Sequence, residues 1–252
     1  MPYIQLNDLD LYYEEYGKGD GILFLHSHFS RGVIAFEGQI NAFSKHYRCL
    51  FPDFRGHGKT KCKSLEWNSR MLADDMANFI DKLNLGKVHL IGYSCGAYVC
   101  CYLASKYTDK VKSLITIGGG AYPRSEGAIN YLPENLVKNN PDFVEEMKTR
   151  HKESHQGDFQ TYLRMTVNDW QSHPSLSDDE WKSIKCPVLF INGENDPFGT
   201  CEELLEKVPH GDVFEVKGAG HCPHFSNQRA DEVNSEILDF LCSIKEREKH
   251  DY

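Results

Sequence analysis

Residues 92 to 96 read Gly-Tyr-Ser-Cys-Gly, a serine held between two glycines at the end of the apolar run VHLI. A serine hydroxyl becomes a nucleophile only when a neighbouring base takes its proton and the backbone projects it toward substrate. A tight strand-to-helix turn meets the second condition. It brings the residues two before and two after the serine together, which favours glycine at both places. Gly92 and Gly96 fill them, and Ala97 is small as well. Such a turn leaves Ser94 at a helix N-terminus, with the Cys95 N–H directed at any oxyanion formed on attack. The pentapeptide also arises by chance in chains with this much Gly and Ser, so its weight depends on a base and an orienting acid downstream.

Both follow. Asp196 in ENDPF stands just after the strand-like PVLFING, at the C-terminal end of a parallel strand, where open α/β sheets place their sites. His221 lies in GAGHCPHF, a glycine-flanked loop after VFEV. The chain order Ser94, Asp196, His221 is that of a nucleophile-elbow triad. Asp196 precedes Pro197 and could instead be a turn former or a helix cap near Thr200, and Glu194 is a rival acid. Among the twelve histidines, His151, His155, His173 and His224 read as surface or structural residues. A metal centre built on His26 and His28 lacks a following Asp-His pair in HSHFSRG, so no metal is expected.

These residues need a frame. Short β-rich runs alternate with helical patterns, the signature of a largely parallel sheet covered on both faces. The strand candidates are 22 to 26, 48 to 52, 88 to 92, 113 to 118, 187 to 193 and 213 to 216, with an N-terminal hairpin from IQLN and LDLYYEEY at one sheet edge. Helical stretches fall at about 35 to 45, 67 to 83, 96 to 106, 200 to 208 and 230 to 246. The rhythm breaks between Tyr122 and Lys182, where Pro123, Pro133, Pro141 and Pro174 punctuate short helices. That segment reads as a helical cap, residues 122–182, inserted into a core of 1–121 and 183–252. It carries 11 acids against 7 Lys or Arg, with Tyr131, Phe143, Phe159, Tyr162, Trp170 and Trp181 spread through it.

Composition narrows the field. At 252 residues the chain suits one large domain with an insertion. A net charge of -9 without a run of five like charges argues against a nucleic-acid partner. Val88 to Ser105 is 18 residues without an acid or base, but glycines and Ser94 interrupt it, so it reads as a buried strand feeding a buried helix rather than a membrane span. The first residues, MPYIQLNDLD, carry neither a basic nor an apolar leader pattern, which suggests a cytoplasmic protein with no membrane association. Nine cysteines with no CxxC pair read as reduced, packed thiols, Cys95 and Cys222 each beside a triad candidate. Either a monomer or a homodimer is compatible with this composition.

With these motifs the chain resembles the α/β-hydrolase superfamily over nearly all its length. GYSCG is similar to the nucleophile elbow, NGENDPF to the acid loop, GAGHCPH to the histidine loop, and PDFRGHGKT to the D-x-R-G-x-G-x-S segment after the fourth strand. The resemblance implies an eight-stranded, mostly parallel sheet flanked by helices, a small helical cap after strand 6, and Ser-His-Asp chemistry without a cofactor. It also implies a second oxyanion N–H from His28, in a loop where HSHF has Ser27 in the place of the usual glycine. The expected activity is hydrolysis of a small or medium carboxylic ester, with Tyr93, Trp170 and Tyr122 bounding the substrate pocket. C–C bond hydrolysis, lactone opening and acyl transfer occur on the same fold, as does slow-turnover ligand sensing. An anionic substrate would call for an arginine by the pocket, with Arg31, Arg124 and Arg164 the candidates.

Overall fold

The computed structural model describes residues 3–123 and 125–250; Arg124 lies outside them. The strands are β1 (Tyr3–Leu6), β2 (Leu9–Tyr16), β3 (Gly21–Leu25), β4 (Arg48–Pro52), β5 (Lys61–Cys62), β6 (Val88–Tyr93), β7 (Val111–Ile117), β8 (Val188–Gly193) and β9 (Asp212–Val216). Eight of them run in the order β1-β2-β4-β3-β6-β7-β8-β9, and the two-residue β5 pairs with β2. The β1–β2 hairpin is antiparallel and β2 is antiparallel to β4, whereas β4, β3, β6, β7, β8 and β9 are parallel neighbours. The expected eight-stranded sheet is therefore present. The extra β5 has too short an apolar pattern to register as a strand, and it makes the expected sixth strand the seventh in chain order.

Period-two alternation explains why the central strands are apolar throughout. Along β3, Ile22 and Phe24 join one core cluster while Leu23 and Leu25 join the other, so each strand supplies both faces. One face is covered by α3 (Ser69–Lys82) and α4 (Cys95–Lys106). The other is covered by α1 (Gly32–Ala35), α2 (Glu37–Phe43) and the long α11 (Ala230–His250). The run Val88 to Ser105 is β6 followed by α4, as its interrupted pattern predicted, and no helix among the described residues is long and apolar enough to cross a membrane.

Between β7 and β8 the chain forms a 3-10 turn (Ala128–Tyr131) and α5 (Pro133–Asn139), α6 (Pro141–Arg150), α7 (Lys152–His155), α8 (Phe159–Ser172) and α9 (Asp178–Ser183). Leu136, Val144, Tyr162 and Leu163 form a small cluster of their own there, with Phe29 packed against it. Trp181 does not join that cluster: it is buried in the main core on α9, which packs against α4. After β8 comes α10 (Cys201–Lys207), capped by the Thr200 hydroxyl on the Glu203 N–H. All nine cysteines are free thiols.

Candidate active site

The sheet order sets the site. β3 lies between β4 and β6, so the loops leaving the C-terminal ends of β3 and β6 diverge and open a crevice between them. Ser94 directly follows β6 with φ 55° and ψ -117°, a conformation costing a non-glycine residue about 1–3 kcal/mol. The flanking glycines allow it. A Cβ on Gly92 would collide with the Gly96 carbonyl, and one on Gly96 would collide with the Leu25 carbonyl of β3. The elbow is thus wedged against both its own turn and the neighbouring strand. Ser94 is the N-cap of α4 yet makes no capping hydrogen bond with its side chain. Its Oγ lies instead 3.0 Å from His221 Nε2.

His221 Nδ1 is 3.0 Å from both Asp196 oxygens. The Asp196 side chain is fully buried, and one of its oxygens also accepts the Phe198 N–H at 2.9 Å, so it both shapes its turn and holds the imidazole. The cap of the following helix comes from Thr200 and not from Asp196. The rival Glu194 points away, accepting the Gly218 N–H at 2.8 Å and pairing with Lys217. Gly118, at φ +61°, lets the chain after β7 press on the His221 ring, where a Cβ would sit 3.0 Å from Nδ1. Three residues 127 positions apart at the extremes meet in one hydrogen-bonded line, with the imidazole placed to exchange a proton with the hydroxyl while the buried carboxylate orients it and stabilises its cation.

Ser27, His28, Phe29, Tyr93, Ser94, Cys95, Tyr98, Tyr131, Trp170, Phe198 and His221 enclose a cavity of ≈ 180 Å³. Tyr93 and Trp170 line it. Tyr122 does not: it is 42% exposed with Lys207 over its ring, because the chain after Gly118 is pressed against the Phe198–Gly199 backbone and turns outward. Phe198 takes that place, and only its position behind Asp196-Pro197 hinted at it. Its ring lies 4.6 Å from that of His221 and 5.7 Å from that of Trp170.

Cys95 opens α4, so its N–H is one of the helix's unpaired terminal donors. The His28 amide lies against the Cys95 thiol, and the Phe29 amide is bonded to the Tyr162 hydroxyl at 3.1 Å. Ser27 is absent from the residues with positive φ; in this loop Phe29 adopts that conformation at 61°, so glycine is not required at 27. Both nitrogens of His26 are engaged, Nδ1 with the Ser27 carbonyl at 2.8 Å and Nε2 accepting the Phe54 N–H at 3.0 Å, which removes it as a ligand. His28, Cys95 and Asp169 bring N, S and O atoms within 4.8 Å of one another. Hydrogen bonds from Ser69 and His28 already occupy both Asp169 oxygens, which makes this a hydrogen-bonded cluster rather than a metal cage. Arg31 is tied to Asp53 and Glu14, and Arg164 to Glu134, so neither faces the cavity.

A family model for the alpha/beta hydrolase fold matches residues 22–179. The chain belongs to the α/β-hydrolase family. It is 29% identical to a provisionally named esterase/lipase of Haemophilus influenzae, over 87% of this chain and 82% of that one. It is 26% identical to a 2-hydroxy-6-oxononadienedioate/2-hydroxy-6-oxononatrienedioate hydrolase of Burkholderia vietnamiensis, over 93% and 91%. A structure from a study of carboxylesterases of Nitrososphaera gargenis superposes with a TM-score of 0.81 at 18% identity, over 98% of this chain and all of that one. Within this α/β-hydrolase the fold is thus shared closely with proteins whose substrates differ.

Proposed function

We propose that this α/β-hydrolase is a serine hydrolase that cleaves small or medium uncharged carboxylic esters through an acyl-enzyme on Ser94. The observation carrying the reading is the line Ser94 Oγ, His221, Asp196, with 3.0 Å at each contact, facing an aromatic cavity. In the proposed cycle His221 Nε2 accepts the Ser94 proton as Oγ bonds to the acyl carbon, while Asp196 holds the imidazole and stabilises its cation. In this reading the oxyanion donors are the Cys95 amide, at the start of α4, and the His28 amide, each such donor being worth on the order of 10²–10³ in rate. The protonated His221 gives its proton to the departing alkoxide, and water, activated by the same nitrogen, then releases the acid.

Size and charge support the substrate class. A cavity of ≈ 180 Å³ is of the order of one that accepts a benzene ring, about 150 Å³, so it suits a short acyl chain or one ring. Among the described lining residues none is Lys or Arg, which supports a neutral ester over a dicarboxylate such as the one in the Burkholderia relative's name. In this reading residues 122–182 act as the cap, contributing Tyr131 and Trp170 to the wall, and 1–121 with 183–252 form the core.

The test is an acyl series of p-nitrophenyl esters, run on the wild type and on Ser94→Ala, with mass detection of a fluorophosphonate adduct. The expected result is an optimum at short acyl chains, one adduct on Ser94, and a loss of roughly 10⁵–10⁶ in kcat for Ser94→Ala. Unchanged turnover in that variant, or a wild type that neither labels nor turns over any ester, would overturn the reading.

A further inference from the structure

The proposed cycle leaves one buried ionisable group of the site without a task. Asp169, on α8, has a side chain only 1% exposed. Its carboxylate accepts the Ser69 N–H at 2.6 Å, the Ser69 hydroxyl at 2.6 Å and His28 Nε2 at 3.1 Å, with His173 Nε2 at 3.4 Å. Ser69 opens α3, so the carboxylate also sits at the positive end of a 14-residue helix. Burial pushes the Asp169 carboxyl up, but His28, His173 and Ser69 outweigh it and leave the group below the ordinary carboxylate range. One carboxylate thereby joins four pieces of chain: α8, the turn after it at His173, the start of α3, and the loop that follows β3.

The last of these matters most. His28 stacks on His57 with ring centroids 5.7 Å apart and lies 5.1 Å from Trp67, two rings that themselves meet at 4.8 Å, so one side of the imidazole is packed against aromatic surface. Its Nδ1 is buried without a partner. Among the described residues, the contact with Asp169 is therefore the one hydrogen bond that fixes how this imidazole is turned. The His28 backbone amide, on the same residue, lies against Cys95 and is the second proposed oxyanion donor. Deprived of Asp169, the imidazole is held by ring packing on one side alone and is free to turn toward the cavity it lines, shifting the 27–29 backbone.

We infer that Asp169 is a positioning residue: through His28 it holds the oxyanion loop in register with Cys95, so that the helical segment sets the geometry of the oxyanion hole. This rests on the serine-hydrolase reading of Ser94. Because the contact acts where charge develops, its loss lowers the rate of the chemical step without weakening ground-state binding.

The experiment is a double-mutant cycle on the full chain with Asp169→Asn, His28→Ala and the pair, reading kcat and KM for the best p-nitrophenyl ester. It also compares affinity for an alkylboronic acid, which forms a tetrahedral adduct on serine, with affinity for an ether isostere of the ester. A displacement of the oxyanion donor should lower kcat on the order of 10²-fold for Asp169→Asn, with KM nearly unchanged. Boronate affinity should fall in parallel and ether affinity should hold. The pair should lose no more than the worse single variant, since both changes act through one ring. If Asp169→Asn does not fold, Ser69→Ala replaces it in the cycle, removing the hydroxyl hydrogen bond to the carboxylate and leaving the one from the residue-69 N–H, and a smaller loss with the same coupling to His28→Ala is expected. Wild-type kcat in these variants, a loss expressed in KM alone, or fully additive losses would overturn the inference. Turnover surviving Ser94→Ala would instead overturn the serine-hydrolase reading on which it rests.

Discussion

Cys95 and Cys222 adjoin Ser94 and His221 in sequence, and their surroundings separate them. Burial pushes the Cys95 thiol well above its ordinary range and Asp169 adds to the rise, so Cys95 offers neither access nor thiolate. Cys222 is only partly buried, its thiol raised by burial and then by Asp196. Cys242 is exposed. Iodoacetamide should therefore modify Cys242 first, without effect on turnover, and any slower loss of ester hydrolysis should disappear in Cys222→Ala and persist in Cys95→Ala. Peptide mapping beside residual activity checks this, and alkylated Cys95 in the folded protein would contradict it. Sequence adjacency gave the two thiols equal standing; the helix axis turns one inward and the loop leaves the other near the surface.

At the scale of elements the elbow is the most constrained turn in the molecule. Gly96 abuts the backbone of β3 at Leu25 and His26, so an added Cβ meets carbonyl oxygens that cannot move without breaking the sheet. Gly96→Ala should lower stability by about 3 kcal/mol or more, at or above the top of the usual cost of overpacking, because the clash is with backbone. Gly86→Ala makes the comparison: nothing lies within 4 Å of its Cβ, and only its φ of +67° opposes the change, at about 1–2 kcal/mol. Urea unfolding of the two variants measures the difference, and equal midpoints would show that the elbow relaxes more easily than its packing implies. The central strands and the flanking helices were legible because alternation and helical periodicity are local properties. β5 and the outward turn at Tyr122 were not, since each depends on a partner far along the chain, Leu9 and Asp10 in one case and Phe198 in the other.

Across the whole molecule, buried imidazoles govern the response to acid. Burial pushes His26 and His224 down to about 3, and drives His57 and His151 well below their ordinary value near 6.5. Each is neutral in the fold and takes up a proton on unfolding at mildly acid pH. The unfolded chain then binds more protons, so stability is complete above pH 6.5 and falls as pH drops toward 3, by up to about 1.4 kcal/mol per pH unit for each group. By pH 5 each of the four groups costs about 2 kcal/mol, about 8 kcal/mol together, so Tm should decline by roughly 15–30 °C between pH 7.5 and pH 5. Thermal melts across that interval check it, and a flat profile would mean that these rings exchange protons in the native state. Their expected structural role follows from the same contacts, His224 Nε2 on the Ala35 carbonyl and His151 accepting the Gly58 N–H.

The sequence by itself determined the sheet, the elbow around Ser94 and the chain order of Asp196 and His221, because strand alternation, turn chemistry and short motifs are written within a few residues of one another. The tertiary structure decided what those motifs face. It put Phe198 rather than Tyr122 on the cavity wall, tied Arg31 to Asp53 and Glu14, and brought Asp169 across 141 positions to His28. An aspartate on an amphipathic helix looks the same in sequence whether it faces solvent or a buried imidazole. Only packing, which sets the partner and removes the water, distinguishes the two.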